Sequence, residues 1–362
     1  MLLRFSGFFT LIFFLIFSAN IFANPAGKSE ENKEFDVNEM IMHHIKDAHE
    51  FHIMDIDGHA VSFPLPIILW TDNGLVTFLS SEFNHNDSGE VIVERKGQEF
   101  IKYHEKIFYA NNSGGDKYVA YDISGNVANK KPLDLSITKM VFSMFLSMLL
   151  LILIFVATAR TYSKSKKGEP TGLGKFTEPL VMFIKDEVAL PMIGEKNYQK
   201  YMPFLLTLFF FIWINNVMGL IPFFPFSANL SGNIAFTFVL AAITFIITTV
   251  VGNKDYWKHI FWMPGIPVPM KLFLAPIEFL GIFIKPISLM IRLFANISAG
   301  HIIILSLISL IFIFKSLWLA PASLFFSVFI SLIEVLVVAI QAYIFTMLSA
   351  LYIGSAIEEH EH

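Results

Sequence analysis

The stretch KPISLMIRLFANISAGHIIIL, residues 285–305, decides the fold, because it places polar side chains inside a long apolar run. Arg292 stands near its middle, and Asn296 follows four residues later, on the same face of a helix. A guanidinium stays charged at any accessible pH, and near the centre of a bilayer it costs at least about 2.5–3.5 kcal/mol. Arg292 must therefore face protein or water, and it is a functional candidate.

The composition of the whole chain agrees with a membrane setting. Of its 362 residues, 55% are hydrophobic and 15% are charged, and 40 are phenylalanine. Soluble proteins carry about 25% charged residues, so we predict a polytopic membrane protein. The net charge of −4 is too small to indicate a nucleic-acid partner. The chain has no cysteine, which excludes thiolate chemistry, and no phosphate-binding glycine loop, so we expect no bound nucleotide and no cofactor.

The N-terminal third differs from the rest. Residues 1–23 combine a short basic start, an apolar run and small residues, which is typical of a signal peptide, although a retained anchor is the alternative. Residues 24–133 are rich in histidine, acids and glycine, and they contain alternating or β-branched runs such as GLVTFLS. We predict a small soluble domain of mixed or mainly β character, exported from the cytoplasm.

Five histidines of this domain lie close together, at positions 43, 44, 49, 52 and 59. Metal binding is one interpretation. The spacing matches no standard zinc site, because HEFH is one residue shorter than HExxH and no cysteine is present. A solvated amphipathic segment is therefore the favoured interpretation, with no metal site.

Hydropathy predicts the first three spans at residues 137–159, 202–221 and 234–251. A basic flank at residues 160–167 belongs on the cytoplasmic side, so the first span runs from outside to inside. Residues 172–192 alternate acids and lysine with apolar side chains, which favours an amphipathic helix on the membrane surface.

Two apolar stretches follow, at residues 271–315 and 316–353. Each would be about 60 Å long as a helix, whereas a hydrocarbon core is about 30 Å thick. Each stretch is therefore either two spans or one long, tilted helix, and length alone leaves both open.

Polar residues recur within these two stretches. If the stretches pack antiparallel, a register that places Gln341 beside Arg292 also places Glu334 at the depth of His301. His301 lies about half a helical turn away from the arginine face, so a direct contact with Glu334 does not follow from the register. Glu278 stands nearly four turns before Arg292, too far to neutralise it.

The chemistry of these residues suits a proton path. Histidine and glutamate exchange protons near neutral pH when their surroundings shift their pKa values. Arginine does not exchange protons, but it forces a nearby carboxylic acid to ionise. The alternative interpretation is that the polar groups only hold helices together.

At these residues the sequence resembles a known family. Residues 285–305 are similar to the signature of subunit a of F-type ATP synthases, the membrane stator that conducts ions past the rotating c-ring. IQAYIFTMLSALYI resembles its C-terminal helix, NNVMGLIP its third-helix motif and GKFTEPLVMFIKDEV its surface helix. The resemblance covers about residues 137–357, and it implies that the last two stretches are two long tilted helices rather than four spans.

The resemblance also implies roles for single residues. Arg292 matches the arginine that separates two aqueous half-channels, and Asn296 and Gln341 match its polar neighbours. His301 and Glu334 match the titratable positions of the outer half-channel, although many bacterial relatives carry glutamate first and histidine second. Glu278 resembles a carboxylate on the cytoplasmic side.

The predicted fold is thus an all-α polytopic membrane protein with about five membrane-embedded helices, a surface amphipathic helix and a small N-terminal soluble domain. The resemblance implies a proton-translocating, non-catalytic subunit of a bacterial inner-membrane ATP synthase. Its implied partners are the c-ring, subunit b of the peripheral stalk, membrane lipid and, indirectly, the F1 sector. The soluble domain would be periplasmic and the C-terminus cytoplasmic. The alternative function is a secondary transporter whose midplane arginine binds an anionic substrate, although no internal repeat supports it.

Overall fold

The computed structural model describes residues 46–56, 59–111, 118–164, 171–221, 224–263, 265–314 and 316–358. The chain divides into two compact units. One contains residues 48–139, and the other contains Asp47 and residues 140–358. The predicted signal peptide and the first part of the predicted soluble domain, to residue 45, lie outside the described residues.

The first unit is built from short antiparallel strands that form three small sheets. The prediction of a small domain with β character is therefore correct. The strands are β1 (Glu50–Ile56), β2 (His59–Pro64), β3 (Pro66–Thr71), β4 (Gly74–Leu79), β5 (Val93–Arg95), β6 (Gln98–Tyr103), β7 (Lys106–Tyr109) and β8 (Leu133–Asp134). They pair in the orders β1-β2, β4-β3-β8 and β5-β6-β7.

The core of this unit follows from the period of two along a strand. Ile67 and Leu69 of β3 and Val76 and Phe78 of β4 point to one face and are buried together. Phe100 of β6 closes the same cluster. Alternate residues of β3 and β4 in one sheet thus form an apolar core together with β6 of another sheet.

A buried charge network lies beside this core. His49 is 4% exposed, and its Nε2 lies 3.0 Å from Oδ2 of Asp134. The carboxylate of Glu105 accepts a hydrogen bond from the backbone N–H of His49 and lies 3.9 Å from the ring nitrogen Nδ1. Lys102 is 1% exposed and pairs with both Glu105 and Glu50, at 3.5 and 3.4 Å. Of the five clustered histidines, His49 thus contacts two carboxylates, and positions 43 and 44 lie outside the described residues.

The chain enters and leaves the first unit at one place. The backbone N–H of Lys139 donates to the carbonyl of Ala48 over 2.8 Å. In the second unit, the N–H of Met140 donates to the carboxylate of Asp47 over 3.0 Å. Lys139 is the first residue of the helix α1 (Lys139–Lys164), so Asp47 caps this helix from a distant point in the sequence.

The second unit is helical. Among the described residues, five helices are long and apolar enough to cross a membrane, which confirms the predicted fold class. They are α1, α4 (Tyr198–Gly219), α5 (Ile234–Val251), α7 (Val268–Ile313) and α8 (Ala320–Ile357). After α1, the elements are α2 (Gly174–Phe183), a π-helical turn (Ile184–Ala189), α3 (Leu190–Ile193), α4 (Tyr198–Gly219), α5 (Ile234–Val251), α6 (Lys254–Phe261), α7 (Val268–Ile313) and α8 (Ala320–Ile357).

The last two helices settle the ambiguity of the long apolar stretches, since each stretch forms one helix. The 46 residues of α7 and the 38 of α8 correspond to about 69 and 57 Å, so each must tilt in or extend beyond a core of about 30 Å. They are antiparallel neighbours. Leu289 and Leu293 of α7 share a buried cluster with Val338 and Ala342 of α8.

The predicted surface helix at residues 172–192 forms α2, the π-helical turn and α3 in succession. Its apolar side is buried, with Ile184, Val188 and Ile193 in the cluster that also contains residues of α4 and α8. Gly354 of α8 lies against Met192 so closely that a Cβ atom there would collide with the Met192 carbonyl. The segment is amphipathic as predicted, and its position on the membrane surface stays a prediction.

Candidate functional site

His301 of α7 and Glu334 of α8 are in direct contact. The ring nitrogen Nδ1 lies 2.6 Å from Oε1 of the carboxylate. Glu334 is 3% exposed and His301 is 20% exposed, so the contact is largely shielded. One proton shared between these atoms gives either a neutral pair or an imidazolium–carboxylate pair, and so short a distance is typical of a charge-assisted bond.

Gly300 makes this contact possible. A Cβ atom at position 300 would lie 2.8 Å from Oε1 and 2.9 Å from Cδ of Glu334. Because glycine has no Cβ, the carboxylate can lie against the α7 backbone and reach the neighbouring imidazole. This explains how His301 meets Glu334 although it is turned away from the arginine face.

The other ring nitrogen of His301 points to a third helix. Nε2 lies 3.4 Å from the carbonyl oxygen of Gly219, the last residue of α4. A Cβ at Gly219 would lie 3.2 Å from the Ala228 carbonyl, so the segment after α4 also packs here. The imidazole is thus positioned between α4, α7 and α8.

Buried polar atoms without a hydrogen-bond partner among the described residues occur on the elements that meet at this pair. They include the second oxygen of Glu334 and both amide atoms of Asn216 near the end of α4. Buried polar groups require partners, and water supplies them where protein does not. The further members of the set are Ser298 Oγ, Ser327 Oγ, Asn229 Nδ2 and Ser231 Oγ.

Most of these residues were missed from the sequence. Asn216, Asn229 and Ser298 are not among the residues that the sequence predicted for the site. The argument that identified Arg292 could also have identified these residues, since a polar side chain inside an apolar span requires a partner or water. The amide nitrogen of Asn215 shows the alternative, because it donates to the Phe211 carbonyl of its own helix over 2.7 Å, whereas the amide oxygen of Asn215 has no partner among the described residues.

Arg292 lies elsewhere on α7 and is half-buried, while Asn296 is exposed. Within the described part of the chain, Arg292 forms no ion pair, and its charge acts electrostatically on the Tyr352 hydroxyl of α8. Gln341 is 7% exposed, and no hydrogen bond among the described residues joins it to Arg292. The structure thus brings His301 and Glu334 together, but it does not join Arg292 directly to Gln341.

Glu278 lies toward the other end of α7, in a cavity of about 190 Å³. Lys285 also lines it, and its ammonium group lies 5.7 Å from the centre of the Tyr352 ring. Along the helix, Arg292 is about 21 Å from Glu278 and about 14 Å from His301. The other lining residues are Tyr256, His259, Ile260, Ile282, Ser355 and Glu358.

Comparison with known proteins adds an independent observation. The family model described as ATP synthase A chain matches residues 141–354, a range that includes Glu278, Arg292, Asn296, His301, Glu334 and Gln341. The chain belongs to the ATP synthase A chain family. Members of this family are the proton-translocating stator subunits of the Fo sector, so the predicted subunit class is confirmed. The matches give no support to the secondary-transporter alternative.

Relatives of the A chain family that match this chain are named ATP synthase subunit a. The protein from Chloroherpeton thalassium is 43% identical over 235 residues, which cover 63% of this chain and 69% of the relative. One from Chlorobium phaeobacteroides is 47% identical over 237 residues, covering 63% and 68%. One from Anaeromyxobacter sp. is 40% identical over 252 residues, covering 67% and 60%. A second model, a domain of unknown function (DUF8433), matches residues 40–135.

Proposed function

We propose that this member of the A chain family conducts protons through two separate polar paths that end on either side of Arg292. A carboxylic acid on each subunit of a rotating c-ring would lose its proton to one path and regain a proton from the other. The chain itself makes and breaks no covalent bond in this scheme, so its role is conduction rather than catalysis.

The outer path would run through the His301–Glu334 pair. The pair has a 2.6 Å contact along which a proton can move, and it carries a second buried carboxylate oxygen without a partner among the described residues. Asn216 and Ser298 add polar atoms that water would bridge. The exchange of glutamate and histidine relative to many bacterial relatives leaves the donor–acceptor pair intact.

The cytoplasmic path would begin at Glu278. Its cavity contains further titratable or charged groups, among them His259 and Lys285. With the basic flank after α1 on the cytoplasmic side, five crossings place the C-terminus there too. The cavity is lined by Glu358 near that terminus, so the path opens toward the cytoplasm in this orientation.

The proposal rests on Arg292. It is a permanent cation between the two paths that has no ion-pair partner among the described residues. Asn296, Ala295 and Ala299 lie on the same side of α7 as Arg292, and these exposed side chains are polar or small. A helix of the c-ring could approach this surface closely, and its carboxylate would supply the transient counter-charge. Arginine would hold that carboxylate ionised until the outer path reprotonates it.

The proposed setting is the inner membrane of a bacterium, with the first unit in the periplasm. The c-ring is the proposed direct partner, together with subunit b of the peripheral stalk and membrane lipid. The F1 sector would be coupled only through these subunits.

The test is Arg292→Ala in the assembled complex, with Lys271→Ala as a matched control that removes another cation from α7. We expect Arg292→Ala to abolish ATP synthesis and to allow passive proton leak, while Lys271→Ala retains coupled synthesis. Normal coupled synthesis by Arg292→Ala would refute the proposal.

A further inference from the structure

The outward face of the sheet β4-β3-β8 in the first unit is apolar. Trp70 pairs with Leu75 on one side and with Leu133 on the other, which gives a row of three large apolar side chains across the sheet. The buried neighbours Leu69 and Val76 face the core instead, so this row lies on the opposite side.

The next two rows continue the pattern. Ile68 pairs with Thr77, and the N–H of Leu135 donates to the Ile68 carbonyl over 2.9 Å. Pro66 pairs with Leu79, and the N–H of Ile137 donates to the Pro66 carbonyl over 3.1 Å. Thr77 is therefore the single polar residue among the nine positions of this grid, which we name the apolar sheet face. The grid comprises Leu75, Trp70, Leu133, Thr77, Ile68, Leu135, Leu79, Pro66 and Ile137.

The large side chains of the apolar sheet face are exposed. Trp70 is 59% exposed, Leu133 61% and Leu135 53%, and Leu75 and Leu79 are nearly half exposed. An antiparallel sheet with one face on its core normally presents polar side chains on the other. A contiguous exposed apolar surface marks an interaction site.

The chain connection indicates what covers this surface. Hydrogen bonds hold the strand after β8 as far as Lys139, which is also the first residue of the membrane span α1. Leu135 is four residues from that start, a distance of at most about 14 Å even when extended. The interfacial layer on each side of the hydrocarbon core is itself about 5–8 Å thick. The sheet therefore stays within reach of the bilayer.

We propose that the apolar sheet face lies on the lipid bilayer, with Trp70 and the surrounding leucines in the interfacial layer. Tryptophan is enriched there because its ring is apolar and its indole N–H is polar. The first unit would thus be a membrane-resting domain, a property that goes beyond the proposed proton conduction.

The absence of cysteine from the sequence gives a direct test. Leu75→Cys and Leu133→Cys are each made in the full chain, labelled with a nitroxide and assembled into the complex in liposomes of zwitterionic and anionic phospholipid. Glu94→Cys, at an exposed site in β5 of another sheet, is the matched control. The measurement is the ratio of collision rates with oxygen, which partitions into lipid, and with a water-soluble nickel chelate.

We expect the ratio at positions 75 and 133 to exceed that at position 94 several-fold. Ratios equal to the control would overturn the proposal, because the face would then lie in water. Labels that are immobilised and reached by neither reagent would also overturn it, because a protein partner or second copy would then cover the face. If one variant fails to assemble, Leu79→Cys and Leu135→Cys report on the same surface.

Discussion

The imidazole of His301 lies closer to Glu334, at 2.6 Å, than to the Gly219 carbonyl, at 3.4 Å. The stronger of its two contacts is therefore with the group that can itself accept or release a proton. The weaker contact fixes the orientation of the ring. This asymmetry makes the pair suited to passing a proton between α7 and α8.

Glu334→Gln removes the titratable group and keeps the shape of the side chain. We expect proton flux through the reconstituted membrane sector to fall by at least about tenfold, because an amide cannot carry the proton although it still bonds to His301. The measurement is the rate of proton uptake by energised liposomes. Ser331→Ala, three residues earlier on α8, is the control, since its hydroxyl donates only to its own helix. Equal flux in both variants would make the pair structural.

Gly300→Ala tests the close approach of Glu334 to α7. The added Cβ would lie 2.8 Å from the carboxylate oxygen, so the pair must separate or α8 must shift. We expect a loss of flux similar in direction to that of Glu334→Gln. Gly281→Ala on the same helix is the matched control, because a Cβ there would meet no other element of the described residues within 4 Å. If the two alanine variants conduct equally well, close contact is not required.

Gly354→Ala tests the packing of α8 on the amphipathic segment. The new methyl group would collide with the Met192 carbonyl, whose carbon would lie only 2.9 Å away. Overpacking of this kind costs about 1–3 kcal/mol. We expect a lower melting temperature of the purified protein in detergent, with Gly281→Ala again as the control. An unchanged melting temperature would mean that α3 moves freely away from α8.

The first unit should lose stability at alkaline pH. Burial acts to lower the pKa of His49, but the carboxylates of Asp134 and Glu105 outweigh it and raise this pKa to about 9. A raised histidine pKa stabilises the fold fully below the ordinary value of about 6.5, and this stabilisation is lost as the pH rises through 9. The contribution is of the order of 3 kcal/mol.

The pKa of Glu105, whose carboxylate faces His49, shifts in the opposite direction. Burial raises the pKa of Glu105, but His49 and Lys102 lower it to about 2, so its contribution is present above pH 4.5 and lost as the pH falls toward 2. We therefore expect maximal protection of the backbone amides of β3 and β6 between about pH 4.5 and 6.5. Hydrogen exchange of the full chain, corrected for intrinsic rates, measures this. His49→Gln should remove the decline between pH 6.5 and 9, and a decline that persists in this variant would assign it to another group.

The membrane architecture could be predicted because its cause is local in the sequence. Hydropathy identifies the first three spans and the two long apolar stretches, and polar residues such as Arg292 and Glu334 stand out against an apolar background. Length alone does not decide whether each long stretch is one helix or two, and the family resemblance supplied that part of the prediction. The antiparallel register then places His301 and Glu334 at one depth, and the structure shows them in contact.

Other features depend on three-dimensional packing and could not be predicted. The His301–Glu334 contact depends on the missing Cβ of Gly300, which no periodicity reveals. Asn216 and Ser231 come from different segments, so no helical period relates these two buried polar residues in the sequence. The predicted proximity of Gln341 to Arg292 followed from depth alone, and depth does not fix which way a side chain points.

The hydrogen bond between Lys139 and Ala48 joins the two ends of the first unit, so the chain enters and leaves this unit at neighbouring points. A segment with this geometry can be gained or lost by a chain as a cassette, because the residues on either side are already close enough to be joined. Asp47 lies just outside this segment and caps the N–H of Met140, so a deletion that also removed Asp47 would leave the start of α1 uncapped. Any shortened homologue or designed deletion should therefore keep an acidic residue at the junction.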